Sequence, residues 1–367
     1  MFTVALAACL AGSSLGYGCS SKGDTVFESN VGEIADTGGP FGSLAATASP
    51  DQAAFSSTND GARSFCQWQV KFDQKKPDYE AIERYTINSD GSVTTSPLIH
   101  YPDSTYDLFG TGLNINGTLV GTQYPYVLDG TSKAFMVNGT SGVVYLNPLV
   151  GGTNSKATCI DDQNNIYGTS DAPDHVLHAV KWIQGMGTPI DLTPKQNGAA
   201  LTNDTPVAAN NEGDVVVTQK DQAGLGHIAV LTKDSLPYVL PSTGVDIRNP
   251  VAISQHGLIV GNSGGPSGLD AWTFDVHTNK FTDIGTPPGT LYLLVRGVNL
   301  SGTVVAQAGL TNGGQRGYEY NGSWKDINSL FTWPSVVSIT DALGIADNGR
   351  LILYGTDSGV PHYFVRR

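Results

Sequence analysis

The sequence predicts an all-β fold, a seven-bladed β-propeller of four-stranded blades, on three observations: the residue composition, a repeated turn, and the complementarity of the two chain ends. Of 367 residues, 45 are Gly and 19 are Pro, while charged residues make up only 14%. That balance suits many short strands joined by tight turns and leaves little material for long amphipathic helices.

The repeated turn organises the chain. Val251 to Gly261 and Arg296 to Ala306 share one pattern: a small residue, an apolar one, a polar one, two variable positions, Gly, then a short β-branched run. The pattern recurs around Gly117, Gly213 and Gly349, and a sixth copy has Asn164 where the others have Gly. Asn is, after Gly, the residue that best tolerates the left-handed backbone of a tight hairpin, so the exception fits the mechanism. The anchors 117, 164, 213, 257, 302 and 349 are spaced by 47, 49, 44, 45 and 47 residues, the length of one four-stranded blade. A weaker copy, Thr47 to Phe55 with Arg63 to Trp68, gives a seventh anchor near Gln52, and Phe72 to Gly91 reads as an insertion after it. Asp60-Gly61 and Asp90-Gly91 are the alternative pair of hairpin turns for that blade.

The ends complete the reading. Pro361 to Arg367 supplies a third strand and no fourth, while Val31 to Gly39 resembles the fourth strand and linker at Phe281 to Gly289. The N-terminal strand is therefore expected to pair in the C-terminal blade and close the ring, leaving no unpaired edge. Residues 25–367 read as one domain. Residues 1–24 read as an export signal and tether: Phe2 to Leu15 is apolar and rich in small residues, and Gly18 to Asp24 turns polar. The small residues before Cys19 and the Ser-rich stretch after it resemble a bacterial lipoprotein signal that would lipidate Cys19. Leu6-Ala7-Ala8-Cys9 matches the usual motif more closely but has too few apolar residues before it, and plain secretion is the other reading. The expected location is secreted or cell-envelope, with membrane contact only through a lipid anchor, since no later window holds 18 uninterrupted apolar residues. A net charge of −13 removes the positive surface that phosphate-backbone binding needs, so nucleic acid is set aside.

Ala252-Ile253 through Gly257-Leu258-Ile259-Val260-Gly261, then Ala271-Trp272 and Thr282-Asp283-Ile284-Gly285-Thr286, resembles the HAF-repeat family of extracellular bacterial proteins. The His-led strands at His178, His227 and His362 resemble it too. The resemblance covers residues 100–367 and implies export and a propeller, with no catalytic residues to carry over. The degenerate repeat also admits a kelch-like or lactonase-like propeller.

Chemical candidates are few. His178, His227 and His362 share one strand position, and a side chain repeated around a ring serves each blade before it serves one site. Ser170 to His175 offers Asp171, Asp174 and His175 as oxygen and imidazole ligands for a cation, although loops of this composition are commonly turns; no metal and no cofactor is assigned. Asp191, Asp283 and Asp326 recur in the fourth strands, which points to a repeated hydrogen bond and not to paired-carboxylate chemistry. Hydrolase, zinc, P-loop and EF-hand motifs are absent. Cys66 and Cys159 fall in different blades and different strands, so two free buried thiols are expected. Tyr124-Pro125-Tyr126 could form a sugar-stacking platform, while Trp272 and Trp324 read as packing between blades.

The expectation is a monomeric, non-catalytic binding or scaffold module that recognises a glycan, peptide or envelope component through Tyr124, Tyr126, Asp171, Asp174 and His175. The alternative is an extracellular enzyme acting on a polysaccharide or lactone. Strand order puts the loops between second and third strands on one rim, namely 123–132, 170–176, 220–226, 262–269, 307–316 and 355–360, and that rim is the expected functional face.

Overall fold

Each of the six anchors adopts the backbone its turn requires. The φ angle is +73° at Gly117, +63° at Asn164, +91° at Gly213, +73° at Gly257, +79° at Gly302 and +81° at Gly349. Every anchor N–H bonds the carbonyl three residues earlier at 2.9–3.2 Å, and that earlier residue donates its own N–H to the carbonyl just after the anchor. The six are matching hairpins. The computed structural model describes residues 110–367 apart from 126–130, 139–141, 174–175, 197–198, 221–225, 233–237, 241–246, 266–267 and isolated positions; before residue 110 it describes the backbone of strands alone.

Each hairpin opens a four-stranded antiparallel sheet, named here by its anchor. The Gly117 sheet runs Tyr106–Leu113, Thr118–Pro125, Lys133–Asn138, Val143–Tyr145. The Asn164 sheet runs Ser155–Ile160, Ile166–Asp171, Leu177–Trp182, Ile190–Asp191. The Gly213 sheet runs Thr202–Ala209, Val215–Lys220, Gly226–Leu231, Tyr238–Val239. The Gly257 sheet runs Ile247–Ile253, Leu258–Gly265, Gly268–Asp275, Lys280–Gly285. The Gly302 sheet runs Thr290–Val298, Val304–Leu310, Gln315–Tyr320, Trp324–Asp326, and one short helix, Ile327–Leu330, follows it. In the Gly349 sheet, Val337–Ile345, Leu351–Asp357 and Val360–Arg366 are joined by Phe41–Ala45, which pairs antiparallel with the last strand from Phe41↔Arg366 to Ala45↔His362. The strand beside the C-terminal one thus lies beyond Val31 to Gly39, which are outside the described residues.

Apolar side chains fill the spaces between consecutive sheets. Val120, Ile166, Val180 and Trp182 join the Gly117 and Asn164 sheets; Tyr167, Ala179, Val215 and Val217 join Asn164 and Gly213. Val216, Ile228, Ile259 and Trp272 continue to the Gly257 sheet, Val260, Leu293 and Val304 to the Gly302 sheet, and Val305, Ile339 and Phe364 to the Gly349 sheet. Strand aromatics therefore serve packing between sheets, and Trp324 Nε1 reaches back to the Ile284 carbonyl at 2.8 Å.

A polar belt joins the sheets at their turns. Except at the Gly349 turn, which has Ala346 there, the side chain three before the anchor accepts N–H groups of its own turn, as when Asn114 Oδ1 takes those of Asn116 and Thr118 at 3.1 and 3.0 Å. Its amide then donates onward. Asn114 Nδ2 bonds the Asp161 carbonyl at 2.9 Å, Asn210 Nδ2 the Ser254 carbonyl at 3.3 Å, and Asn299 Nδ2 the Ala346 carbonyl at 3.4 Å. Between the Asn164 and Gly213 turns, Asn211 takes the role, binding Asp162 through both its amide oxygen (2.8 Å) and its amide nitrogen (2.6 Å). Asn164 itself accepts from Asn114 Nδ2 at 2.8 Å and Thr118 Oγ1 at 3.0 Å.

Three features differ from the sequence reading. First, all six first strands slip by one residue against the second strand at the same place. The extra residue lies six before the anchor: Thr111, Thr158, Val207, Val251, Arg296 and Leu343. Second, Phe72 to Gly91 is not an insertion set apart from its sheet, because it contains Glu80–Ile87, which pairs with Ser64–Cys66, Val70–Phe72 and Val93–Tyr101. Strand pairs flank Asp60-Gly61 and Asp90-Gly91, as the alternative register expects, and Gln52 lies outside the described residues. Third, the rim of second-to-third connections is uneven. In the Gly257, Gly302 and Gly349 sheets the strands run on to Gly265 and Gly268, Leu310 and Gln315, and Asp357 and Val360, so those connections are short. Among these six sheets the longer ones are in the consecutive Gly117, Asn164 and Gly213 sheets.

Asn114→Ala removes the amide that closes its own turn and the donor to the next sheet. It is expected to lower stability by about 2 kcal/mol, since the buried N–H of Thr118, the partly buried N–H of Asn116 and the Asp161 carbonyl lose this partner; chemical denaturation measures this, and a change below about 0.5 kcal/mol would contradict the belt's role.

Candidate functional site

On the uneven rim, the residues singled out in the sequence separate into those that meet and those that do not. Tyr124, near the end of its strand, is half-buried, and the Lys156 ammonium lies 5.2 Å above the centre of its ring. Asp171, the last residue of its strand, is saturated with donors: Thr153 N (2.6 Å) and Asn154 N (2.7 Å) to Oδ1, Thr153 Oγ1 and Asn154 Nδ2 (2.9 Å each) to Oδ2. Burial would raise this carboxyl, but the donors from Asn154 and Thr153 outweigh it and hold it below the usual carboxylate range. Asp171 therefore ties down the chain entering its own sheet. Tyr126, Asp174, His175 and Cys19 lie outside the described residues. Asp171 and Lys156 nonetheless face one open pocket of roughly 390 Å³, with Ser132, Asn154 and Leu177 completing its lining. Among the described residues no group of three or more acidic, His or Cys side chains is arranged to hold a metal.

The first strands supply the remaining charge. Eight and six residues before the anchors stand, in chain order, Thr111, Lys156, Thr158, Thr205, Val207, Asn249, Val251, Leu294 and Arg296, all partly or fully exposed, followed by buried Asp341 and Leu343. Arg296 is the bulged residue of its strand, and the bulge turns its guanidinium toward the next sheet. Its Nη2 and Nε reach Asp341 Oδ2 and Oδ1 at 2.8 and 3.4 Å, which neutralises a carboxylate that is 0% exposed. Lys156 is the remaining ionisable group in this set, and burial lowers its pKa.

A second cluster lies between the Asn164 and Gly213 sheets. His178 Nδ1 is 3.0 Å from Asp191 Oδ2, so this one of the three equivalent histidines has a specific acidic partner. Asp191, Asp283 and Asp326 share a common bond, each accepting the N–H two residues on, from Thr193, Gly285 and Asn328, at 2.8–2.9 Å. Asp204 has no such arrangement. It is 0% exposed and neither carboxylate oxygen has a hydrogen-bond partner. Burial pushes its carboxyl up to about 7, with the charge of His178 working against that and the charge of Asp191 adding to it. Asp191 and Asp204 are thus two carboxyls in unlike environments, a pairing the sequence did not reveal because thirteen positions and a change of sheet separate them. Cys159 is a free thiol that burial pushes up to about 12, so it is an inert packing group; the side chain of Cys66 lies outside the described residues.

No protein-family model matches the sequence, and no curated protein matches it. Solved structures do. An oligogalacturonate lyase from Vibrio parahaemolyticus has a TM-score of 0.55 at 12% identity, covering 91% of this chain and 94% of that one. A prolyl endopeptidase gives 0.55 at 11% identity, over 86% of this chain and 50% of that one. The β-propeller domain of the trilobed protease from Pyrococcus furiosus gives 0.47 at 9% identity, over 75% and 95%. At such identities the likeness shows the fold alone, and that fold is a β-propeller of antiparallel four-stranded sheets.

Two outcomes test the charge assignments. Asp204 has a folded pKa near 7, above an unfolded value near 3.9. Between about pH 4 and pH 7 the folded chain holds a proton that the unfolded chain lacks, so this group's contribution is full below pH 4 and is lost as pH rises through 7. The loss over the whole window is on the order of 4 kcal/mol. Asp204→Asn, which stays neutral, is expected to abolish that slope and to be more stable than the parent at pH 8; denaturation midpoints at pH 5 and pH 8 decide it. Arg296→Met should cost about 3 kcal/mol by removing the guanidinium that neutralises the buried Asp341, and adding Asp341→Asn should recover most of that loss. If the double variant is as unstable as the single, the pair is not what the guanidinium is there for.

Proposed function

We propose that the chain is an exported propeller of seven blades, closed into a ring by Phe41–Ala45, that works as a non-catalytic binding module for a glycan, peptide or envelope component. Binding falls on the rim where the Gly117, Asn164 and Gly213 sheets keep their longer connections, and Cys19 is the proposed lipid attachment point if the chain is tethered. The observation that carries this reading is the state of the ionisable groups. Among the described residues at the partly open first-strand positions, Arg296 is committed to Asp341, and Lys156 is left as the one cation without an acidic partner. Acid/base chemistry needs at least two groups open to a substrate, whereas a mostly neutral rim of Thr, Val, Asn and Leu with one charge suits recognition.

The second reading, an enzyme acting on a polysaccharide or lactone, draws on Asp191 and Asp204 flanking His178. It requires that Asp204 become accessible to substrate, from a position that is now fully enclosed. A glycan and envelope-fraction binding screen of the mature chain, run beside hydrolysis and elimination assays, separates the two. Retention without turnover is expected, with loss when residues 126–131 and 221–225 are shortened. Turnover that disappears in Asp204→Asn would replace the binding reading with the enzymatic one.

A further inference from the structure

The pocket between the Gly117 and Asn164 sheets has a definite inventory of occupied and available groups. Asn154 Oδ1 accepts from Ser132 N (2.9 Å) and Ser132 Oγ (3.3 Å), while Asn154 Nδ2 donates to Thr153 Oγ1 (3.0 Å) and Asp171 Oδ2 (2.9 Å). The backbone N–H groups of Thr153 and Asn154 are consumed by Asp171. What remains is the Lys156 ammonium, which makes no hydrogen bond or ion pair with any described residue and whose contact is the face of Tyr124. A half-buried ammonium with a ring face as its only partner lacks most of the solvation it would have in water, and an anion entering the pocket restores it.

The rest of the lining selects among anions. A phosphate or sulfate dianion needs several donors or a second cation, whereas among the described residues one cation lines this pocket, beside the Asp171 carboxylate, whose oxygens are already engaged as acceptors. A singly charged carboxylate fits that balance. Ser132 Oγ keeps a lone pair for a ligand hydroxyl, and Leu177 gives an apolar wall. The volume of roughly 390 Å³ lies within the range of small-molecule sites.

Building on the binding reading above, we infer that this pocket is a site for a carboxylate-bearing saccharide, a uronate residue, with its carboxylate on Lys156 Nζ and its ring against Leu177. Tyr124 then acts through its cation and not as a bare stacking platform, because Lys156 already occupies one face of its ring.

Isothermal titration of the full chain with a glucuronate oligosaccharide, its methyl ester, the neutral glucose oligosaccharide of the same length, and inorganic phosphate tests this. The uronate should bind at least tenfold tighter than the ester or the neutral sugar, and phosphate should not compete. Lys156→Gln should lose the same tenfold while Lys156→Arg keeps most of the affinity; the ester comparison uses the unaltered chain and so does not depend on a variant folding. Equal binding of uronate and neutral sugar, unaffected by Lys156→Gln, would overturn the carboxylate assignment and leave the binding module standing. Phosphate competing as well as uronate would overturn the ligand class. Absence of all saccharide binding, with envelope components still retained through the loops, would overturn the site but not the module. Absence of both would remove the module as well.

Discussion

The fold depends on an amide placed three residues before a glycine. At Asn114, Asn210 and Asn299 one side chain closes its own hairpin with its oxygen and ties the next sheet with its nitrogen. The sheets that receive these bonds carry Asp161, Ser254 and Ala346 at the same position, none of which has an amide to pass on. Donor and acceptor sheets therefore alternate, and where Asp161 cannot donate, its neighbour Asp162 pairs with Asn211. A local turn motif thereby also sets the relation between neighbours, which apolar packing alone, being non-directional, would not define.

Turn chemistry is why so much of the architecture was legible beforehand. Backbone with φ near +75° narrows the residue choice to Gly or Asn, and that narrowing survives when everything else in a repeat drifts. Asn164 shows the limit of the inference. The sequence suggests a residue tolerated for its φ, but its side chain is also an acceptor for two groups of the preceding sheet. The bulge six positions before each anchor left no equivalent trace, because Thr, Val, Arg and Leu all occupy it and a one-residue slip changes register without demanding a residue type. The first sheet was the least legible part for a related reason: its long central strand, Glu80–Ile87, follows a connection that breaks the repeat's spacing.

The candidate sites were legible only in part. Asp171 and Tyr124 stood out as members of polar or aromatic loops, and the structure relates both to Lys156, Asp171 as a fellow wall of its pocket and Tyr124 through its ring face, yet Lys156 sits in a strand and gives no motif. The Arg296–Asp341 pair and the buried Asp204 are products of sheet-to-sheet contact, while His178 and Asp191 meet across neighbouring strands of one sheet. Their sequence separations reflect blade length or strand order, so no spacing rule points to them. The recurring aspartates of the fourth strands were readable for the opposite reason, since each makes the same short-range bond to the N–H two residues ahead.

The pairing of Phe41–Ala45 with Val360–Arg366 has a temporal side. It joins segments far apart in sequence, so among the described strand pairings it is the one with the longest loop to close. Neighbouring hairpins can form one after another as they emerge, each supported by its predecessor. Among the six anchored sheets, the Gly349 sheet alone must wait, holding an unpaired edge until a segment distant in sequence returns to cover it.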